Sequence, residues 1–303
     1  MSTHLVHILQ HNSFLHHDRG CMVLDSPESS HRLPIADILG VVIAARGVSI
    51  SGSLLSLLLS HGAFVLHCDE KYRPLGKTIP LSHVIQTDLF ERQILLFPSS
   101  AHALWNKIIE AKISNQAAVL DKIGVSHQLS AYLPPYLPDE GNAARQYWKY
   151  YFKQFGRLAP DTRERQGAED PVNSMLNYGY AVLSAVLHRS ICGHGLNPSL
   201  GIHHKYRFRS QPLVYDLFEP WRPLVDCCLL HYRCSHKKRE LTEWVKFTAQ
   251  DFMRLRVQLA DGRKVKLFVA IDYYVQSFCH ALVEQCPKRF FVPHIRDFIL
   301  EKE

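Results

Sequence analysis

Three stretches of the 303-residue chain place polar, metal-competent side chains inside otherwise apolar surroundings. The first is Asp139-Glu140, opening the run EGNAARQYWKYYF. An acid in a first helical turn is favoured by the helix dipole. Small Ala143 and Ala144 and then the aromatics Tyr147, Trp148, Tyr150, Tyr151 and Phe152 follow it. The second is the loop Gly195-Leu-Asn-Pro-Ser-Leu-Gly-Ile-His203-His204, a Gly- and Pro-bearing connection of the kind that carries functional side chains on a rigid scaffold. The third is Asp216-Leu-Phe-Glu219-Pro-Trp-Arg222-Pro. Its two acids stand three apart, so on a helix they share a face, and Arg222 can pair with either. Pro220 and Pro223 imply that a helix starts or kinks there. Each stretch alone has an ordinary explanation: a dipole-favoured acid, a structural histidine pair, an acid–arginine pair. Together, two carboxylates and one imidazole suit Mg²⁺ or Mn²⁺ with open coordination positions. Such an ion polarises a phosphoryl oxygen and steadies charge on an attacking or leaving oxygen. The reading requires that residues 140, 204 and 219 meet in the fold.

The charge distribution bears on the class of partner. Residues 1–88 hold six Lys/Arg and seven Asp/Glu, a net −1, while the remainder holds 29 basic and 21 acidic residues, a net +8. All of the positive excess lies in the part that carries the three stretches, where it draws a polyanion. A solvated basic surface is the plain alternative.

The elements that must position these residues divide at the same place. Before Asp88 the chain is β-rich: Leu5–Leu9 and Cys21–Leu24 are short apolar runs, and Ile38–Ala44 and Ala63–His67 are β-branched or aromatic runs. Tyr72–Gly76 reads as a hairpin connection. Ser53–Ser60 is a short helix with Ser51 or Ser53 to cap it and Gly62 to stop it. After Asp88 the period becomes helical over Ala101–Ile123, Asp139–Phe155, Met175–Cys192 (with Asn173 as cap) and Tyr273–Val283. Arg157–Asp170 is a polar surface loop, and Arg254–Phe268 alternates around Asp261-Gly262 as a small hairpin. The expected fold class is α+β, with an N-terminal β-rich, sandwich-like domain and linker over 1–88. A larger, mainly α-helical catalytic domain follows over 89–303.

Other motifs are set aside. Gly76-Lys77-Thr78 lacks the upstream glycine of a P-loop, Lys71 standing there instead, so no nucleotide cofactor is expected. Cys227, Cys228, Cys234 and His236 fit no standard zinc spacing. Eight cysteines in apolar segments, in a chain with a normal core, read as free thiols in a reducing cytosol. No signal peptide and no membrane span is expected, so the location is cytoplasmic.

Read in order, several segments are familiar. Glu140-x-x-Ala-Ala with its aromatics, Asn173-x-x-Leu-Asn-Tyr-Gly-Tyr180, Gly195-Leu-Asn-Pro-x-Leu-Gly-x-His-His204 and Asp216-Leu-x-Glu-Pro-x-Arg-Pro223 resemble the CRISPR-associated Cas1 integrase family. So do Pro34–Ile43, Gly47-Val-Ser-Ile-Ser51 and Phe64–Asp69 in the first part. The local sequence, including Leu200-Gly-Ile-His-His204, looks most like members from type II loci, subtype C. The resemblance implies a β-domain that dimerises and a helical catalytic domain. It implies a homodimer, two of which flank a Cas2 homodimer. It also implies insertion of a double-stranded prespacer into the CRISPR array, a prespacer 3′-hydroxyl attacking the leader–repeat junction by transesterification without ATP. By the same resemblance the metal ligands, and so the catalytic residues, are Glu140, His204 and Glu219, with Asp216 orienting a ligand or a bound water. Glu at 219, where the family also has Asp, keeps the ligand type. Lys205, Arg207 and Arg209, at alternating positions after His204, are expected to grip DNA phosphates, with Arg222 as a further DNA contact. Two other classes stay open: a stand-alone metal-dependent endonuclease on branched or single-stranded DNA, and a non-catalytic DNA-binding scaffold.

Overall fold

The computed structural model describes residues 4–80, 87–135, 138–165, 167–205, 211–235, 240–259, 262–294 and 298–300. The N-terminal part is two packed sheets. One has the order β1-β5-β7-β8, made of β1 (His4–Ile8), β5 (Ile38–Ile43), β7 (Phe64–Cys68) and β8 (Pro74–Thr78). Its first three strands run parallel and β8 is antiparallel to β7. The other has the order β4-β3-β2-β6, made of β2 (Phe14–Asp18), β3 (Cys21–Asp25), β4 (Ser30–Pro34) and β6 (Ser49–Ile50).

Strand β5 shows why the apolar run ILGVVI is unbroken. Side chains alternate across a strand. Val41 and Ile43 face Leu15, Met22 and the α1 (Gly52–Ser60) residues Leu54 and Leu58 between the sheets. Val42 and Ala44 point the other way, into the helical core. A strand buried on both faces has no polar side to alternate with. Ser51 caps α1, its hydroxyl accepting from Leu54 N at 3.2 Å.

The helical part consists of α2 (Thr87–Ile94), α3 (Pro98–Lys122), α4 (Glu140–Lys153), α5 (Pro171–Gly193), α6 (Pro212–Phe218), α7 (Arg222–Ser235), α8 (Leu241–Arg254) and α9 (Leu267–Val283). A small antiparallel sheet, order β10-β9-β11, joins β9 (Leu255–Gln258), β10 (Lys264–Lys266) and β11 (Phe298–Leu300). Helix α5 is apolar nearly all round and lies at the centre. Leu5, Phe64 and Leu66 of the first sheet belong to the same hydrophobic core as α5 and α8, so the β-rich and helical parts are fused through one interior.

The structure differs from the sequence expectations in three respects. Asp170, not Asn173, caps α5: its carboxylate accepts from Asn173 N at 2.8 Å, and Pro171 takes the first helical position, where no N–H is needed. Strand β8 begins inside the expected connection, at Pro74, because Asp69 closes the turn earlier by accepting from the backbone N–H groups of Lys71 and Arg73, both at 2.8 Å. Helices α2, α7 and α8 complete the bundle in stretches that the periodicity reading left unassigned. The cysteines are free, as expected. Among the described residues no helix is long and apolar enough to cross a membrane.

A buried carboxylate pins three helices together. Asp226 of α7 accepts from the hydroxyls of Tyr147 (α4, 2.8 Å) and Tyr180 (α5), and Tyr151 donates to its carbonyl at 3.0 Å. Burial pushes the Asp226 carboxyl up to about 6, outweighing the two tyrosine bonds and the nearby Arg163 and Arg222 charges. A carboxyl bound more tightly to its proton in the folded state than at 3.8 stabilises the fold at low pH. That contribution, about 3 kcal/mol, is lost as pH rises from about 4 to 6. Asp226→Asn can keep both tyrosine partners, since its amide accepts from one hydroxyl and donates to the other. The variant is therefore expected to melt higher than the parent at pH 7.5, with the difference shrinking towards pH 5; thermal unfolding across that range checks it.

Candidate active site

Asp139 starts α4 by accepting from Asn142 N at 3.0 Å, which sets Glu140 in the first turn. The Pro220-Trp221 sequence stops α6 and tightens Glu219–Trp221 into a 3-10 turn before α7 begins. The two glutamates, 79 residues apart in sequence, meet at a third side chain. Lys112, near the middle of α3, donates to Glu140 Oε1 at 2.7 Å and to Glu219 Oε2 at 2.5 Å. The other oxygen of Glu219 accepts from Arg222 Nε at 3.1 Å. Glu219 and Lys112 are buried, whereas the Glu140 side chain is 38% exposed and faces the open side. Burial alone would raise the Glu219 carboxyl, but Arg222, Lys112 and Arg165 hold it down to about 2.

The imidazole is positioned by a different acid. Asp216, fully buried, takes the backbone N–H of Ile202 (2.7 Å) and of His203 (2.8 Å) on Oδ2. Its Oδ1 receives His204 Nδ1 at 2.5 Å. Since the backbone groups can only donate, Asp216 is an acceptor and His204 carries its proton on Nδ1. The Nε2 lone pair is left for a ligand, the arrangement found behind metal-binding histidines. The loop can wrap this closely because position 201 is glycine: a Cβ there would lie 2.9 Å from Asp216 Oδ2 and 2.8 Å from the Pro212 ring.

Helix α3 ties the two halves of the site together. Trp105, two turns before Lys112, stacks on His203 (centroids 4.2 Å apart, 2° between planes) and meets His204 edge-on at 5.8 Å. Asn115, one turn after Lys112, donates to the carbonyls of Pro220 and Pro293, both at 2.9 Å, and so fastens the Glu219 turn to α3. Glu140 is close enough to His203 to raise that imidazole electrostatically, although burial and then His204 lower it overall. The fold thus brings Glu140 and Glu219 to one ammonium, and α3 carries both that ammonium and the Trp105 ring that packs on His203 and His204. Among the described residues no three His, Cys, Asp or Glu groups stand in metal-holding geometry as they are, the Lys112 ammonium lying between the glutamates instead.

Of the expected DNA contacts, Lys205 is exposed just past His204. Arg207 and Arg209 lie outside the described residues. Arg222 is paired with Glu219, and its guanidinium lies over the rings of Tyr180 (5.2 Å) and Phe218 (5.0 Å). It also lines a cleft of about 830 Å³ between β8 and α5–α6. Lys77, Arg163 and Arg165 line the same cleft, and no acid does among the described residues. Lys112, Trp105 and Asn115 are site residues that the sequence reading missed. Their signal was present: Lys112, Asn115 and Gln116 interrupt the apolar face of α3 at helical spacing, and all three are buried.

Comparison with known proteins fixes the family. The family model described as CRISPR associated protein Cas1 matches residues 6–134 and 137–249. The chain belongs to this Cas1 family. It is 31% identical over 297 residues to the CRISPR-associated endonuclease Cas1 of Neisseria meningitidis serogroup C (strain 8013), covering 95% of each chain. Its fold matches a casposase bound to integration product (TM-score 0.81, 19% identity, 99% of this chain and 96% of that one). It also matches a chain of a Cas6-RT-Cas1–Cas2 complex (TM-score 0.70, 17% identity, all of this chain and 36% of that one). The Cas1 resemblance and the α+β architecture expected from sequence therefore both hold.

Proposed function

We propose that this protein is a metal-dependent integrase of CRISPR adaptation, joining prespacer 3′-hydroxyl ends to leader–repeat DNA. The observation that carries the reading is the meeting of Glu140 and Glu219 at one cation on α3, the helix whose Trp105 also packs on the imidazole that Asp216 locks at Nδ1. Two hard carboxylates and a free Nε2 fit Mg²⁺ or Mn²⁺, and a lysine ammonium between the carboxylates shows that they already accommodate a positive centre. Glu140, Glu219 and His204 would hold the ion. When bound, it supplies Lewis-acid charge to the phosphodiester oxygens.

The chain's own groups do the rest. Asp216 keeps the proton on Nδ1 and off Nε2. Trp105 holds the His203-His204 pair in place from α3. The acid-free cleft leading to Arg222 receives a phosphate backbone. In the reaction the attacking 3′-oxygen gives up its proton and bonds to phosphorus, and the junction P–O3′ bond breaks to release a new 3′-hydroxyl. One phosphodiester replaces another, so no ATP is needed. The partners are double-stranded DNA, a Cas2 homodimer and a second copy of this chain. The type II, subtype C reading rests on the local sequence, including Leu200-Gly-Ile-His-His204.

An assay with a repeat-bearing target, a duplex with free 3′-hydroxyls, Cas2 and Mn²⁺ tests the proposal. Joined product that depends on the metal is expected. Cut but unjoined target would assign the site to hydrolysis, and no reaction with metal present would leave a DNA-binding scaffold. Lys77→Ala and Arg165→Ala are each expected to weaken DNA binding evenly across sequences and to reduce the slope of log affinity against log salt by about 1. An unchanged slope would remove the cleft from the DNA path.

A further inference from the structure

Lys112 is buried in the hydrophobic interior of α3, yet its ammonium is aimed at two carboxylates from distant segments. Without a positive charge there, Glu140 and Glu219 would face each other with no cation between them, Arg222 lying on the other oxygen of Glu219, and the pair would open. The contacts fix where the charge sits: 2.7 Å from one carboxylate oxygen and 2.5 Å from the other. A divalent ion held by the same two oxygens needs them at roughly 2.0–2.2 Å. Ion and ammonium would then be near neighbours against the buried Glu219 side of the site, where like charges are only weakly screened. They cannot share the place.

We propose that Lys112 is the resident counter-cation of the glutamate pair and the competitor that a divalent ion must displace to load the site. This rests on the reading of Glu140 and Glu219 as metal ligands and adds a residue that sets the ion's affinity. In the metal-free protein Lys112 holds the two carboxylates converged through its contacts of 2.7 and 2.5 Å. On loading, its flexible four-carbon stem lets the ammonium withdraw towards the exposed side of Glu140. Lys112 is a positioning residue and a gate on metal uptake. A purely structural lysine would make a different prediction, because losing it would weaken the site and never tighten metal binding.

The test uses the full chain, stripped of divalent ions, with Mn²⁺ alone as probe. Affinity is read by isothermal titration calorimetry, and melting temperature is read with and without the ion. Lys112→Met is expected to melt several degrees lower than the parent without metal. It should bind Mn²⁺ at least tenfold more tightly and gain more in melting temperature from the ion. Lys112→Gln, which keeps a hydrogen-bond donor, is the second neutral variant should the first not fold, and the same tightening is expected. Lys112→Arg keeps the cation and is expected to bind Mn²⁺ as weakly as the parent. Equal or weaker binding in the neutral variants, while Glu140→Gln still weakens the parent's binding, would overturn the role of Lys112 alone. Mn²⁺ binding that ignores Glu140→Gln would overturn the metal reading and this inference with it.

Discussion

Replacing Asp216 with asparagine is expected to cut strand joining by about 100-fold while leaving the protein folded. The asparagine carbonyl can still accept from Ile202 N and His203 N, which sit 2.7 and 2.8 Å from Oδ2, so the loop stays closed. The amide NH₂ then faces His204 Nδ1, where the carboxylate oxygen stood at 2.5 Å. An NH₂ group only donates, so Nδ1 must become the acceptor and the proton moves to Nε2. The imidazole remains in place with its lone pair on the wrong nitrogen. Nitrogen-detected NMR of the imidazole checks the cause: a tautomer change at His204 in the variant, alongside near-parental melting, is the expected pair of results. Lost activity with an unchanged tautomer would move Asp216 from tautomer control to some other role.

Glu219→Gln is expected to abolish joining and also to weaken the fold. In the parent, the carboxyl is held at about 2 because Arg222, Lys112 and Arg165 together outweigh the opposing effect of burial. A carboxyl depressed this far below its unfolded value contributes stability that is fully present above about pH 4.5 and lost as pH falls through about 2. The size is about 3 kcal/mol, and removing one partner of a buried charge pair points to the same scale. The variant should therefore unfold at lower denaturant than the parent at pH 7, with the gap closing as the pH is taken below 4. A gap that persists at pH 2.5 would show that the loss is one of packing rather than charge.

Chain order and side-chain period made much of this architecture readable. The β-branched ILGVVI run announced a strand, though not its cover on both faces, and of the two caps offered for α1, Ser51 and Ser53, the fold uses Ser51. Pro220 and Pro223 announced the break that turns Glu219 out of line with α6. The three stretches bearing Glu140, His204 and Glu219 were legible because acids and imidazoles stand out among apolar neighbours. Less legible were pairings made in space. Asp216 and Glu219 share a face by spacing, but they serve different partners, one the imidazole loop and the other α3. Lys112 lies 107 residues from Glu219, and no local rule links them. The cap of α5 went to Asp170 because both Asp170 and Asn173 are good caps and only the chain path chooses between them.

The Asn115 amide carries a consequence for how the protein is made. It grips the carbonyl of Pro293 with the same nitrogen that grips Pro220. Synthesis proceeds from the amino end, so a nascent chain has Glu140, His204 and Glu219 outside the ribosome well before Pro293 arrives to complete that grip. Asn115 therefore holds the Glu219 turn through one carbonyl until residue 293 has been made and supplies the second, so the full brace on that turn forms after all three stretches of the site have emerged.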